Sequence, residues 1–318
     1  MLLGLILCSL LSMGIALYAG SVPLPMGELW SLFDKTPSPL AEAVLLNLRL
    51  PRTLTSFALG GLLTLSGIYM QVLLRNPLAD PYIMGTSGGA AVAALGAMLL
   101  GVTGFAVQGA AALGAFAAIL LVFALAHAEG TWSPVRLLLT GVVVAAGASA
   151  LVSLLLALGE ESRLRSMLFW LMGDIGNISH AAPLWWLLLS AVGLSCLLAR
   201  HLNVLARGEL QARTLGLNIK QIRIGLFAAS AVLTAAAVTT AGSIGFVGLI
   251  TPHVARLLVG ADHRRVIPTA VLLGGCLLTL ADTAARTLFA PRQLPVGALT
   301  ALIGVPVFLL LMFRRKAQ

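Results

Sequence analysis

Few side chains in this 318-residue chain are placed to do chemistry. Ser87 sits in Gly85-Thr86-Ser87-Gly88, and a serine held between glycines becomes a nucleophile only where an imidazole on a neighbouring helix can take its proton. His253 is the one histidine close to the interior of an apolar run, so a Ser87–His253 protease within the membrane is one reading. Close helix approach through the glycines is the other, and a single short motif favours it. Asp282 and Arg286 are one helical turn apart on one face and can pair with each other. Cys8, Cys196 and Cys276 lie far apart in apolar runs and read as small buried hydrophobes. Neither G-x-x-x-x-G-K-[ST] nor G-x-G-x-x-G occurs, so the chain lacks a phosphate loop with which to hydrolyse ATP. We expect no catalytic residue and no metal site.

The elements that must hold these residues follow from composition. The chain is 59% hydrophobic and 10% charged, with a mean hydropathy of +1.01. A soluble domain is nearer half apolar and about a quarter charged, so this chain cannot coat a water-facing surface. Disorder, collagen, coiled coil and a disulfide scaffold are excluded. A spanning helix needs roughly 20 apolar residues. That ruler places ten spans near 2–21, 53–74, 83–101, 103–126, 136–158, 183–202, 222–241, 244–260, 266–286 and 295–313. The expected fold is therefore all-α and polytopic, one transmembrane domain over 1–318, with residues 2–21 kept as a span rather than cleaved as a signal peptide. Two halves of five spans, 1–158 and 183–313, would make any structural repeat an inverted one, although no residue-level match joins them.

Charge supplies the topology. A net charge of +9 would suggest nucleic acid in a soluble protein, but here it must be read by side of the bilayer. Alternate loops place thirteen basic residues and four acids on the side of the termini, and seven of each on the other. All nine net charges fall on one side, so both termini are expected in the cytoplasm. The partner is the lipid bilayer and no nucleic acid is expected. The spans hold almost no ionisable groups, which argues against an ion-coupled secondary carrier, since such carriers place carboxylates at mid-membrane.

The longest polar cytoplasmic stretch runs from Asn203 to Arg223. Its core, Glu209-x-x-Ala212-x-x-Leu215-Gly216, reads as a short amphipathic helix ended by Gly216, followed by a second short helix capped by Asn218. This core resembles the coupling motif by which permeases of ABC importers seat in a cleft of their ATPase. Further stretches resemble the permeases that import ferric siderophores, haem and vitamin B12, the FecCD and BtuC-like branch. They are Arg75-Asn-Pro-Leu-Ala-Asp-Pro81 with Gly85, Gly245 through His253 and Arg256 to Asp262-His-Arg264, and Leu294 to Pro306. Arg49-Leu-Pro-Arg52 and Ala281-Asp282 to Arg286 match as well.

The resemblance implies a permease subunit of a bacterial inner-membrane importer for a metal chelate. Its partners would be two ATPase subunits, which use ATP and Mg while this chain binds no cofactor, a periplasmic substrate-binding protein, and a second copy of itself. The coupling loop would rest on Glu209, Ala212, Leu215 and Gly216. The cytoplasmic gate would be Asn76 and Leu78 with the companion turn at Ser133 and Pro134. Arg49, Arg52 and Arg286 would meet carboxylates of the binding protein, whereas Arg163 and Arg165 follow Glu160 and Glu161 and are expected to pair with them.

Overall fold

The computed structural model describes residues 1–22, 25, 27, 38–127, 133–176 and 181–314, and they are helical almost throughout. Lys35, Glu129, Arg315 and Lys316, counted in the charge partition, lie outside the described residues. Among the described residues twelve helices follow one another: α1 (Leu2–Tyr18), α2 (Pro39–Leu74), α3 (Thr86–Leu99), α4 (Phe105–His127), α5 (Pro134–Leu158), α6 (Glu161–Met172), α7 (Ala182–Arg207), α8 (Glu209–Thr214), α9 (Ile219–Ala241), α10 (Val247–Val259), α11 (His263–Thr287) and α12 (Val296–Arg314). Each of the ten expected spans coincides with one of these helices, and α6 and α8 are the short additions. Six are long and apolar enough to cross a bilayer, while α1, α3, α10 and the apolar part of α12 are shorter.

The differences from expectation are local. The span expected at 83–101 begins at Thr86, because Pro81–Met84 forms a 3-10 turn and Gly85 adopts a φ of 70°, which ends one helix path and starts another. Helix α2 begins at Pro39, fourteen residues before the span expected at 53–74, and carries a π-helical segment over Ala43–Arg49. The loop expected from Asn203 to Arg223 is shorter than its sequence, since α7 continues to Arg207 and α9 begins at Ile219. Asn218 does cap a helix, with its Oδ1 accepting from Gln221 N–H, but that helix is the long α9.

Helix α2 is the centre of the bundle. The apolar window of this helix is wholly buried, against 11% for α5 and 17% for α7. A helix enclosed by other helices in a membrane gains nothing from hydrophobicity alone, because lipid is as apolar as leucine; small residues and hydroxyls must hold it. Gly60 lies against the Gly274 carbonyl of α11, and Gly67 against Gly248 of α10, so closely that a Cβ at either would overlap the facing backbone. Between these crossings run hydroxyl pairs: Thr64 Oγ1 is 2.7 Å from Thr251 Oγ1, and Ser66 Oγ is 2.7 Å from Ser230 Oγ and 2.6 Å from Thr234 Oγ1. Gly89 of α3 meets Gly114 of α4 in the same way, so the Gly85–Gly89 cluster serves packing. No hydrogen bond joins Ser87 to His253 among the described residues, which removes the nucleophile–base geometry of a protease. Cys8 and Cys196 are exposed on the flank of the bundle rather than buried, and Cys276 is half-buried with Sγ 3.2 Å from Ser9 Oγ.

Candidate functional site

The loops expected on the outer side meet at one end of the bundle. There, two arginines converge on one acid: Arg52 reaches Asp282 with Nε 3.0 Å from Oδ2 and Nη2 2.8 Å from Oδ1, and Arg286 Nε lies 3.2 Å from Oδ2. Asp282 is 1% exposed, Arg286 7% and Arg52 9%. The expected Asp282–Arg286 pair exists, but Arg52 on α2 is the stronger partner. Arg49 is buried too, its guanidinium donating to the backbone carbonyls of Leu17, Tyr18 and Val22. These three arginines brace α2 to α11 and α1. The three guanidiniums, expected to stand open, are buried and engaged within the chain, since charges at the edge of hydrocarbon are stable only when paired or hydrogen-bonded; their meeting a partner's carboxylates stays an expectation of the resemblance.

Beside this brace a cavity of about 940 Å³ opens outward between the α3–α4 turn, α6, the end of α9 and the α11–α12 connection. Asp174 lies in its wall, 3.9 Å from Arg52, and burial raises its carboxyl above the ordinary range. Arg163 pairs with Glu160 at 3.5 Å as expected and also donates to the Met98 and Leu99 carbonyls that end α3. Arg165 does not pair with Glu161; it lies over the Phe169 ring, 5.7 Å from its centroid. Position i, i+4 on α6 brings it to the aromatic face.

At the opposite end, Asn76 closes a turn. Its Oδ1 accepts from Leu78 N–H at 2.9 Å, and its carbonyl from Ala79 N–H at 3.1 Å. Pro77 cannot continue α2, and Arg75 takes a left-handed φ of 49°. Leu78 is exposed and Asn76 half-buried. The chain following this turn packs on α5, where Gly141 sits against the Ile83 carbonyl. Ser133 and Pro134 begin that same α5, the Ser133 carbonyl accepting from Leu137 N–H. The two expected gate segments thus share one end of the bundle.

The six-residue α8 hangs beside them. Gly208, with a φ of 134°, breaks it from α7, and Gly216, with a φ of 76°, ends it. Ala212 is fully buried against the bundle, so it faces inward rather than toward a partner. Glu209 is a two-way clamp, accepting from Arg213 Nη2 at 2.8 Å and from the buried Arg223 Nη2 of α9 at 2.9 Å. The Arg213 hydrogen bond first, then Arg223, holds its carboxyl below the usual range, so the clamp is intact at neutral pH and is lost only as pH falls through that depressed value. What faces water is apolar: Leu210 is 78% exposed and Leu215 66%. The sequence assigned no role to Leu210; an apolar side chain in the otherwise polar Glu209–Thr214 helix, followed by Leu215 at its end, was the signal. A staple reinforces this end, with Asn203 of α7 donating to Asp262 at 2.7 Å and accepting from His263 N–H at 2.8 Å at the start of α11. Glu209→Gln should weaken the clamp on this half-buried side chain. Hydrogen exchange of residues 209–216 should then rise several-fold while α9 stays protected, and unchanged exchange would show that α8 is held by Ala212 alone.

The chain is thus a bundle of apolar helices with a short anchored helix and a helix-breaking turn at one end and a polar brace at the other. The chain belongs to the FecCD transport family, whose model matches residues 5–314. It is 39% identical to the hemin transport system permease protein HmuU of Yersinia pestis over 324 residues, covering 99% of this chain and 95% of that one. It is also 39% identical to the vitamin B12 import system permease protein BtuC of Escherichia coli over 293 residues, 91% of this chain and 89% of that one. A solved metal-chelate type ABC transporter in an inward-facing conformation superposes with a TM-score of 0.88 at 33% identity, covering 98% of each chain. The chain is a transport subunit of an ABC importer, and relatives of this class are permeases rather than ion-coupled carriers or proteases.

Proposed function

We propose that two copies of this chain form the pore of a bacterial inner-membrane importer that takes up a metal chelate such as a ferric siderophore, haem or cobalamin. Two ATPase subunits dock under α8 and use ATP and Mg, a periplasmic substrate-binding protein delivers the chelate, and both termini face the cytoplasm. This chain holds no cofactor in that scheme. The carrying observation is α8: Leu210 on it and Leu215 just past its end are exposed, while the helix is fixed by Ala212 and by the Glu209–Arg223 pair. A push on the leucines is therefore transmitted to α9 and, through Asn203, to α11. Asn76, Leu78, Ser133 and Pro134 would form the cytoplasmic gate, a role for which their shared end of the bundle is suited.

The test is uptake into proteoliposomes holding the chain with its ATPase and binding protein. Accumulation of one chelate from a panel of ferric siderophores, haem and cobalamin should require ATP and all components. Uptake by this chain alone under an ion gradient would overturn the reading.

A further inference from the structure

The outer cavity has a charge pattern that the brace does not explain. Every other outer arginine described here is committed: Arg49 to backbone carbonyls, Arg52 and Arg286 to Asp282, and Arg163 to Glu160 and the end of α3. Arg165 on α6 and Arg292 on the α11–α12 connection line the same cavity, and among the described residues neither has a carboxylate within ion-pair distance. The one acid in the wall, Asp174, already faces Arg52. Phe169 and Trp170 give the α6 wall a flat apolar surface, and Thr239 at the end of α9 adds a hydroxyl. A volume of about 940 Å³ is that of a pocket for a sizeable small molecule.

Resting on the reading that this chain carries a chelate, we infer that the cavity binds a chelate with a flat or aromatic body and two carboxylates, which Arg165 and Arg292 grip. A guanidinium fork fits a carboxylate with two parallel hydrogen bonds, and two forks on separate elements select for two acidic groups on one body. The aromatic wall takes the body by stacking. The brace has a part in this as well: Arg52 lies 3.4 Å from the Gln293 side-chain oxygen, next to Arg292, and so steadies the connection that carries the second cation.

The experiment titrates the full-length chain in nanodiscs, without nucleotide or other subunits, against haem and against its dimethyl ester, with empty nanodiscs subtracted. The two probes share a ring and differ in two carboxylates. Saturable haem binding is expected, at least about tenfold tighter than the ester, since each fork that loses its anion gives up a charge-assisted contact. Arg165→Gln/Arg292→Gln should weaken haem by about that factor and abolish the preference over the ester, while Arg165→Lys/Arg292→Lys retains part of both. Equal binding of haem and ester to the wild-type chain, or full affinity in the glutamine pair, would overturn the site. Because binding is read apart from ATP, a chain that binds haem this way yet supports no ATP-driven uptake would sink the transport reading and leave the site standing.

Discussion

Asp282→Ala is expected to destabilise this protein more than any other single change to a polar side chain. Asp282 is 1% exposed and takes Arg52 and Arg286 at 2.8 to 3.2 Å. Without it, two buried guanidiniums keep only neutral partners, Gln293, the Ala16 carbonyl and the Thr283 hydroxyl, and the more distant Asp174. Removing one member of a buried ion pair typically costs about 3–5 kcal/mol, because the remaining charge is left uncompensated away from water. Here two charges are stranded by one substitution, so the folded yield in mild detergent should collapse and the unfolding temperature of the remainder should drop well below wild type. The same reasoning sets a second expectation. Replacing all three charges with apolar residues of similar size, Arg52→Met/Asp282→Leu/Arg286→Met, should recover much of the loss, as apolar replacement of buried ion pairs often does. An Asp282→Ala protein that unfolds at the wild-type temperature would mean that water or lipid headgroups reach these arginines and that the brace is not load-carrying.

The brace and the staple sit at opposite ends of one rod. Helix α11 is 25 residues long; it begins beside Asn203 and carries Asp282 in its last two turns. It crosses α2 where Gly60 and Gly274 meet, which brings the two backbones together with no side chain between them. A helix held by polar contacts at both ends and by backbone contact in the middle moves as a unit. The end that carries Asn203 and α8 and the end that carries the cavity are therefore joined through α11 and its connection to α12.

The all-helical, apolar character of the chain was legible because hydropathy over twenty residues is a bulk property that no tertiary contact overrides. The helix stop at Asn76-Pro77 was legible as a linear pattern. What escaped was the direction in which side chains point. Ala212 and Leu210 belong to one short helix, and only the packing of α8 on α7 and α9 turns the first inward and the second out. Arg49, Arg52 and Arg286 read as exposed because arginine at a span end ordinarily reaches the headgroups. The pairing of Arg52 with Asp282 joins residues 230 apart, and no local spacing announces it. Arg165 was assigned to Glu161, yet Glu161 and Phe169 both lie one helical step of four from it, so spacing did not choose between them and the guanidinium lies over the Phe169 ring. Cys8 and Cys196 read as buried because apolar neighbours mean an interior in water, whereas in a membrane they equally mean a lipid-facing flank.

Leu210→Glu/Leu215→Glu should leave this protein folded and disconnect it from its ATPase. Leu210 on α8 and Leu215 at its end are both exposed, so the substitution removes little internal packing and the unfolding temperature should stay within a few degrees of wild type. In the proposed assembly they fill the partner's apolar cleft, and apolar anchors at the centre of an interface cost about 2 kcal/mol or more each when lost. Two anchors replaced by carboxylates that must be desolvated should weaken association at least about a hundredfold, since each 1.4 kcal/mol is a factor of ten. ATPase stimulation and chelate uptake should fall together. Glu209→Gln on the same helix is the contrast: it keeps both leucines and loosens only their mounting, so association survives while transport per ATP hydrolysed declines. Co-purification of tagged ATPase with each variant separates the two outcomes. If the leucine pair co-purifies as the wild type does, α8 is not the face that the ATPase grips, and the push must enter through another part of this end of the bundle.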